Sequence, residues 1–148
     1  DVGDLWAATG TPSDELVVGD GGAVLYFGER VFARRACDTD ATLRAVHRDA
    51  EGAWAAGDDG LIVRLEADGC VREHEGGPTL HALGPGPEGR LLAAGDDGVV
   101  LQRTADGWTR VGVDVGGHSI RTLWRSTRYV WLAGTGGVLV RHIRVDGD

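Results

Sequence analysis

Short apolar runs separated by glycine-rich turns recur along the whole chain. Between Leu43 and Glu75, runs of four to six residues alternate with turns that contain Glu-Gly, Asp-Asp-Gly and Asp-Gly. These runs are Leu43–Arg48, Ala53–Ala56, Leu61–Leu65 and Cys70–Glu75. Glycine adopts positive φ at little cost, so this punctuation is typical of short strands joined by hairpins. No stretch holds a 3.6-residue apolar period, and the pattern therefore predicts an all-β chain.

The same arrangement occurs four times. A first marker ends in a glycine-containing turn and is found at Leu16–Gly22, Trp54–Gly60, Leu92–Gly98 and Trp131–Gly137. Its first glycines, Gly19, Gly57, Gly95 and Gly134, are 38, 38 and 39 residues apart. A second marker lies upstream, at Leu5–Ala8, Leu43–Val46, Leu80–Leu83 and Ile120–Leu123. A third is an Asp-Gly pair at Asp68-Gly69, Asp106-Gly107 and Asp146-Gly147. Internal repeats of this regularity indicate a repeat architecture.

The repeat length favours a β-propeller. Four short antiparallel strands in each unit, with units close to the usual length of about 40 residues, are typical of propeller blades. We expect one domain over residues 1–148, with blades at about 1–42, 43–79, 80–119 and 120–148. A parallel β-helix is the structural alternative, but its coils are usually shorter and lack three hairpin turns in each unit.

The number of strands leaves two arrangements open. The fourth repeat stops at Asp146-Gly147, where its outer strand would begin, so the sequence predicts an incomplete last blade. The four blades then either close on themselves or form part of a larger ring. A larger ring would be completed by the rest of the polypeptide or by a second copy, which would give about eight blades.

Composition and charge exclude several classes of protein. Apolar residues make up 42% of the chain, which is too many for a disordered segment, and glycine contributes 25 of 148 residues. The net charge of −8 argues against a nucleic-acid binder. No apolar run is long enough to span a membrane, and no phosphate loop, HExxH motif or other cofactor signature is present.

Metal sites and disulfides are not expected. Cys37 and Cys70 are assigned to opposite ends of their outer strands, so two free thiols are predicted. The acidic turns at Asp58 and Asp96 offer too few oxygen ligands for calcium, and a turn role explains them without a metal. None of the five histidines shares a repeat position with another. The residues assigned to structural turns are Gly19, Gly57, Asp58, Gly60, Gly95, Asp96, Gly98, Gly134 and Gly137.

The segment from Leu43 to Gly69 resembles the blades of two related groups of bacterial propellers. These are the photosystem-assembly-factor-like propellers and the bacterial-neuraminidase-repeat (Asp-box) propellers. Thr104–Thr109 is similar to a shortened Asp-box. The resemblance implies a bacterial binding or assembly platform, in a compartment that stays open between cytoplasm, cell envelope and exterior. Some Asp-box relatives are sialidases, but Tyr26 and Tyr129 do not lie where a central nucleophile would, so no enzyme activity is expected.

The best candidate site is the second position of each first strand. Since first strands line the axis of a propeller, Trp6, Arg44, His81 and Arg121 are predicted to surround one opening, with His47 and Trp124 three residues further along. Such cationic and aromatic groups suit an acidic peptide or a sugar acid, although they also suit plain solvated strand ends. The sequence therefore predicts a non-catalytic module that binds a protein partner. The alternative is a lectin-like propeller with interblade pockets.

Overall fold

The computed structural model describes residues 3–12, 14–28 and 32–144, and within them it is all β. Fifteen strands form four antiparallel sheets, in each of which the strands lie side by side in chain order. The first sheet holds β1 (Leu5–Thr11), β2 (Asp14–Gly19), β3 (Ala23–Gly28) and β4 (Phe32–Ala36), and the second β5 (Leu43–Asp49), β6 (Gly52–Gly57), β7 (Ile62–Glu66) and β8 (Gly69–His74). The third holds β9 (Leu80–Pro85), β10 (Leu91–Gly95), β11 (Val100–Thr104) and β12 (Gly107–Arg110), and the fourth β13 (Ile120–Arg125), β14 (Tyr129–Gly134) and β15 (Leu139–Arg144).

These sheets confirm the four predicted repeats. In the second repeat, each observed strand begins and ends within one residue of its prediction. The fourth sheet has three strands, as expected for an incomplete last blade. The Asp146-Gly147 pair lies outside the described residues. In the part of the chain that the structure describes, no helix is long and apolar enough to cross a membrane.

The chain divides into two compact units, residues 1–77 and residues 78–148. The first unit holds the first two sheets and buries one apolar cluster. Its largest members are Leu16, Val18, Val24, Leu43, Val46, Leu61 and Val63. Leu43 comes from β5 but packs against the face that β2 and β3 offer, so the cluster joins the two sheets. Burial of this shared face is the main force that holds the unit together.

The second unit, residues 78–148, is built in the same way. Its buried cluster combines residues of the third sheet with residues of the fourth, and its members include Leu92, Val100, Val115, Ile120, Val130 and Leu132. Ile120 occupies in β13 the position that Leu43 occupies in β5, and both are 0% exposed. Each unit is therefore a pair of sheets joined through the first residue of the second sheet's inner strand.

The first glycine of each turn is required for space and not for positive φ. Gly57 has a φ of −173°, which is extended backbone that any residue adopts. A Cβ at Gly57 would nevertheless overlap the carbonyl oxygen of Thr42. That carbonyl accepts a 3.0 Å hydrogen bond from the amide of Asp58. The same overlap occurs at Gly19, Gly95 and Gly134. Each glycine thus lets the start of the inner strand lie against the end of the next strand.

The prediction of two free thiols is wrong. Cys37 and Cys70 form a disulfide, with their Cα atoms 5.1 Å apart. Cys37 follows β4 in the connection to β5, is 5% exposed, and packs in the cluster that both sheets share. The prediction assumed that neighbouring blades run alike, which places the two cysteines at opposite ends of their outer strands. Sheets twist, and β4 and β8 approach each other so that the end of one meets the start of the other.

Replacement of Gly57 by alanine should destabilise the protein by about 2 kcal/mol or more, because a backbone contact has to open. Gly112 is the matched control, since a Cβ there meets nothing within 4 Å. Gly112→Ala should change the free energy of unfolding by no more than about 0.5 kcal/mol. Urea denaturation measures the free energy of unfolding of both variants. Equal effects of the two substitutions would show that the close approach at Gly57 is unimportant.

Removal of the disulfide should lower the free energy of unfolding by about 3 to 4 kcal/mol, the value expected from chain entropy for a closed loop of this length. The two cysteines are 33 residues apart in sequence. Denaturation of the wild type with and without a reductant, beside the Cys37→Ala/Cys70→Ala variant, measures the loss. The variant should not respond to the reductant. A wild type that is equally stable in both conditions would contradict the cross-link.

Candidate functional site

Of the six predicted site residues, the four at the second position of a first strand are each the extra residue of a β-bulge. In the first sheet Leu5 pairs with Gly19 and Ala7 with Val18, which leaves Trp6 without a partner opposite it. The register shifts at the same place in the other three sheets, and the extra residues there are Arg44, His81 and Arg121. A bulge re-aims a side chain that would otherwise stand perpendicular to the sheet. In the first three sheets it brings the side chain to the turn between the second and third strands.

In the first unit, residues 1–77, the bulge residues are tied to acidic residues of these turns. The Trp6 indole Nε1 donates a 2.8 Å hydrogen bond to Asp20 Oδ1, and the Thr42 hydroxyl donates to the same oxygen at 3.2 Å. Arg44 Nε donates to Asp58 Oδ1 at 2.6 Å. The Arg44 guanidinium also lies 5.0 Å from the centre of the Trp6 ring, within the range of a cation–π interaction. Trp6 and Arg44 therefore form one aromatic–cationic pair.

The second unit, residues 78–148, repeats this arrangement with an imidazole in place of the indole. His81 Nε2 lies 2.9 Å from Asp96 Oδ1, and Arg121 Nη1 lies 3.4 Å from the same nitrogen. The shorter contact requires the proton on Nε2, because a carboxylate can only accept. Nε2 then has no lone pair for Arg121, so the guanidinium stays beside the ring without a hydrogen bond to it.

The turn of the fourth sheet carries a hydroxyl where the others carry a carboxylate. Thr135 stands at the position of Asp20, Asp58 and Asp96, and its Oγ1 accepts a 3.0 Å hydrogen bond from the amide of Ser119. Arg121 therefore lacks the ion pair that Arg44 makes with the turn of its own sheet. Among the described residues at these four positions, Arg121 is the cation whose charge is least compensated.

These contacts lower the pKa of two turn carboxyls. The hydrogen bond from Trp6 is the main cause that lowers the pKa of Asp20, helped by the Asp4 amide, Thr42 and the charge of Arg44. For Asp96, partial burial is the largest effect and acts to raise the pKa. The hydrogen bonds of Ser119 and His81, with the charges of His81 and Arg121, outweigh it, so the pKa of Asp96 is lowered. Both groups stay ionised and hold their partners in place.

The acidic turn residues have a further contact that the sequence analysis did not identify. Asp58 and Asp96 begin the turns after the second strands, and their carboxylates contact the bulge residues Arg44 and His81. A role in stabilising their own turns stays a prediction. The signal for this contact was present in the sequence, since the bulge residue precedes the turn residue by 14 positions in three repeats and by 15 in the third. The turn position that adopts a positive φ is the next residue, because Asp59 and Asp97 each have a φ of 56°.

The two outer members of the predicted ring lie away from the bulges. His47 Nε2 is 3.4 Å from Asp49 Oδ2, and Trp124 is 63% exposed and pairs with Trp131 across the strands. Both lie three residues beyond the bulge, or about 10 Å along the strand. The structure thus brings Trp6 to Arg44 and His81 to Arg121. That all four surround one opening stays a prediction.

No metal site is apparent in the described part of the chain, where no three histidine, cysteine or acidic side chains lie together. The two tyrosines lie away from the bulges. Tyr26 is in β3 and packs against the cluster of the first unit. Tyr129 begins β14, where its ring is 6.4 Å from Trp131 and lies under the Arg141 guanidinium at 4.4 Å.

Comparison with solved structures identifies the fold. The crystal structure of the WD40 β-propeller domain of Doa1 matches with a TM-score of 0.76 at 13% sequence identity. The match covers 92% of this chain and 49% of that chain, so this chain spans about half the length of the structure that it matches. The chain is therefore a β-propeller of four antiparallel sheets, the last of which has three strands. No protein-family model and no curated protein sequence matches it, and the resemblance to the two bacterial propeller groups stays a prediction.

Acid should weaken the fold partly through Asp20. Its pKa is lower in the folded protein than in the unfolded chain, so its contribution to stability is present above about pH 4 and is lost as the pH falls through the folded pKa. Asp20→Asn should flatten the decline of stability between about pH 5 and pH 3. Asp59→Asn, at an exposed turn position, is the control and should keep the wild-type slope. Parallel curves for wild type and Asp20→Asn would contradict the assignment.

Proposed function

We propose that this chain is a non-catalytic protein-binding module that takes an acidic segment of its partner at the bulge end of the sheets. A fold alone does not decide a function, so the proposal depends on the site. The observation that carries it is the guanidinium of Arg121, which lies beside the His81 ring and has Thr135 in place of a carboxylate in its own turn. A carboxylate from a partner supplies the ion pair that Arg44 already has within the chain.

The aromatic–cationic pair of the first unit supports the same ligand class. Trp6 is 50% exposed although its indole nitrogen is hydrogen-bonded, so one part of the ring remains open for contact. Its orientation is fixed by Asp20 and by the stacked Arg44. An aromatic ring held in place loses little conformational entropy when it binds a peptide. The net charge of −8 opposes acidic ligands at long range, so binding comes from local contacts at the bulge residues.

The lectin-like alternative has less support in the structure. Sugar binding between blades needs exposed aromatic rings that recur from blade to blade, and Trp54, one of the two tryptophans that would serve, is 1% exposed. A cleft of about 310 Å³ in the first unit is lined by Thr39, Ala41, Asp58, Asp59, Leu61, Arg72, Glu75 and Gly76. Its described lining holds no aromatic side chain on which a sugar ring could stack.

A fluorescein-labelled oligoglutamate peptide is the probe for this proposal. Binding measured by fluorescence anisotropy at low salt should weaken about three- to tenfold in Arg121→Ala, as expected for loss of one exposed charge-assisted hydrogen bond. Arg128→Ala is the matched control, because Arg128 is an exposed arginine in the turn at the other end of the same hairpin. It removes the same charge and should leave the affinity within about twofold.

Two results would overturn the proposal. Equal losses in Arg121→Ala and Arg128→Ala would mean that the peptide responds to overall charge and not to this site. Absence of peptide binding, together with binding of a sugar on a glycan array, would favour the lectin-like alternative.

A further inference from the structure

The first sheet exposes apolar residues at positions that are buried elsewhere. Leu5 begins β1 as Leu43 begins β5 and Ile120 begins β13, yet Leu5 is 47% exposed while the other two are 0% exposed. Leu43 and Ile120 are covered by the sheet that precedes theirs in the same unit. On the same face as Leu5 lies a hollow of about 380 Å³, lined by Ala8, Thr9, Gly10, Glu15, Val17 and Phe27. We call this surface the leading face.

The fourth sheet also exposes apolar residues, on the side that does not pack against the third sheet. Leu139 pairs with Ala133 as Val24 pairs with Val18 and as Val100 pairs with Ala94. Val24 and Val100 are covered by the sheet that follows theirs, at 1% and 0% exposure, but Leu139 is 64% exposed. Trp124, Trp131 and Arg141 lie opposite one another on this same side. We call this surface the trailing face.

Each of these two faces ends in a polar residue, and the acid and the hydroxyl have changed places compared with the contact between the two sheets inside each unit. Inside each unit the preceding sheet supplies a turn carboxylate and the following sheet a hydroxyl, as in Asp20 with Thr42 and in Asp96 with Ser119. The trailing face ends in the hydroxyl of Thr135 at the carboxylate position. The leading face begins with Asp4 at the position of Thr42 and Ser119. A trailing face set against a leading face would therefore form the same acid–hydroxyl pair with the roles reversed.

From these two faces we infer that the chain pairs with a second copy of itself, the trailing face of each copy packing on the leading face of the other. Leu139 and Trp124 of one copy cover the hollow and Leu5 of its partner, while Thr135 meets Asp4. Arg141 on the trailing face and Glu15 on the leading face add opposite charges. This inference does not use Arg121 or His81, and Thr135 is the residue that it shares with the proposed acidic-ligand site.

We assign the surface that covers each face to a second copy, because this one chain carries both the leading face and the trailing face. Contacts between unlike faces of identical copies form a closed ring when the rotation between the copies closes. Two copies bring eight sheets, within the range of about four to eight blades in closed propellers. The solved propeller that matches is also about twice as long as this chain, since only 49% of it is covered.

Light scattering over a range of concentrations tests the pairing. The wild type should reach twice the chain mass of 15.6 kDa. Leu139→Glu and Leu5→Glu should each weaken dimerisation at least about tenfold, because a charge enters a face that the dimer buries. Val71→Glu, a charge at a 51% exposed position on β8, is the control and should leave the dimer intact. Circular dichroism checks that each variant is folded.

A second set of variants keeps the test valid if either glutamate variant does not fold. Thr135→Asp keeps an acceptor for the Ser119 amide, as Asp20 accepts from the Asp4 amide, but sets two carboxylates against each other across the junction. It should weaken the dimer about tenfold, and Asp4→Thr/Thr135→Asp should restore it by re-forming the internal pattern. A wild-type monomer at all concentrations, or a dimer insensitive to Leu5, Leu139 and Thr135, would overturn the inference.

Discussion

The close approach of the inner strand to the end of its neighbour is the constraint on which each blade depends. In all four sheets the carbonyl before the first strand accepts a hydrogen bond from the amide after the second, as Thr42 does from Asp58 and Ser119 from Thr135. Only glycine leaves room for that carbonyl. The bulge follows directly, since the register has to shift by one residue to keep this bond and the rest of the ladder.

The candidate site is a consequence of this backbone geometry. Because the bulge turns one side chain toward the turn, the indole of Trp6, the guanidinium of Arg44 and the imidazole of His81 each reach the first turn residue of their own sheet. The turn residue then decides which group the bulge residue meets, with a carboxylate in three sheets and a hydroxyl in the fourth. The sheets thus share one backbone framework, while individual blades differ in how much charge they leave uncompensated. Arg121 and Arg44 differ in this way although they occupy equivalent positions.

Periodicity was enough to predict the sheets, but not the contacts at their ends. Apolar runs and glycine turns report local backbone preferences, and the second repeat accordingly has the predicted strands. A bulge leaves no local sign, because Arg44 is as compatible with a regular strand as with an extra residue. The pairing of Arg44 with Asp58 and the disulfide at Cys37 depend on register and on sheet twist. The fixed spacing of bulge and turn residues is the sequence signal for the pairing of Arg44 with Asp58.

The disulfide gives the chain an uneven response to mechanical force. A pull on the two ends can straighten the backbone only outside the cross-link, because the segment between Cys37 and Cys70 is closed on itself. The 33-residue separation of the cysteines removes about 110 to 120 Å from the length that the chain could reach when fully extended. The protected segment contains most of the second sheet, whereas the third and fourth sheets have no cross-link in their described residues. Under tension the molecule would therefore yield its C-terminal half completely and retain a tethered loop in its N-terminal half.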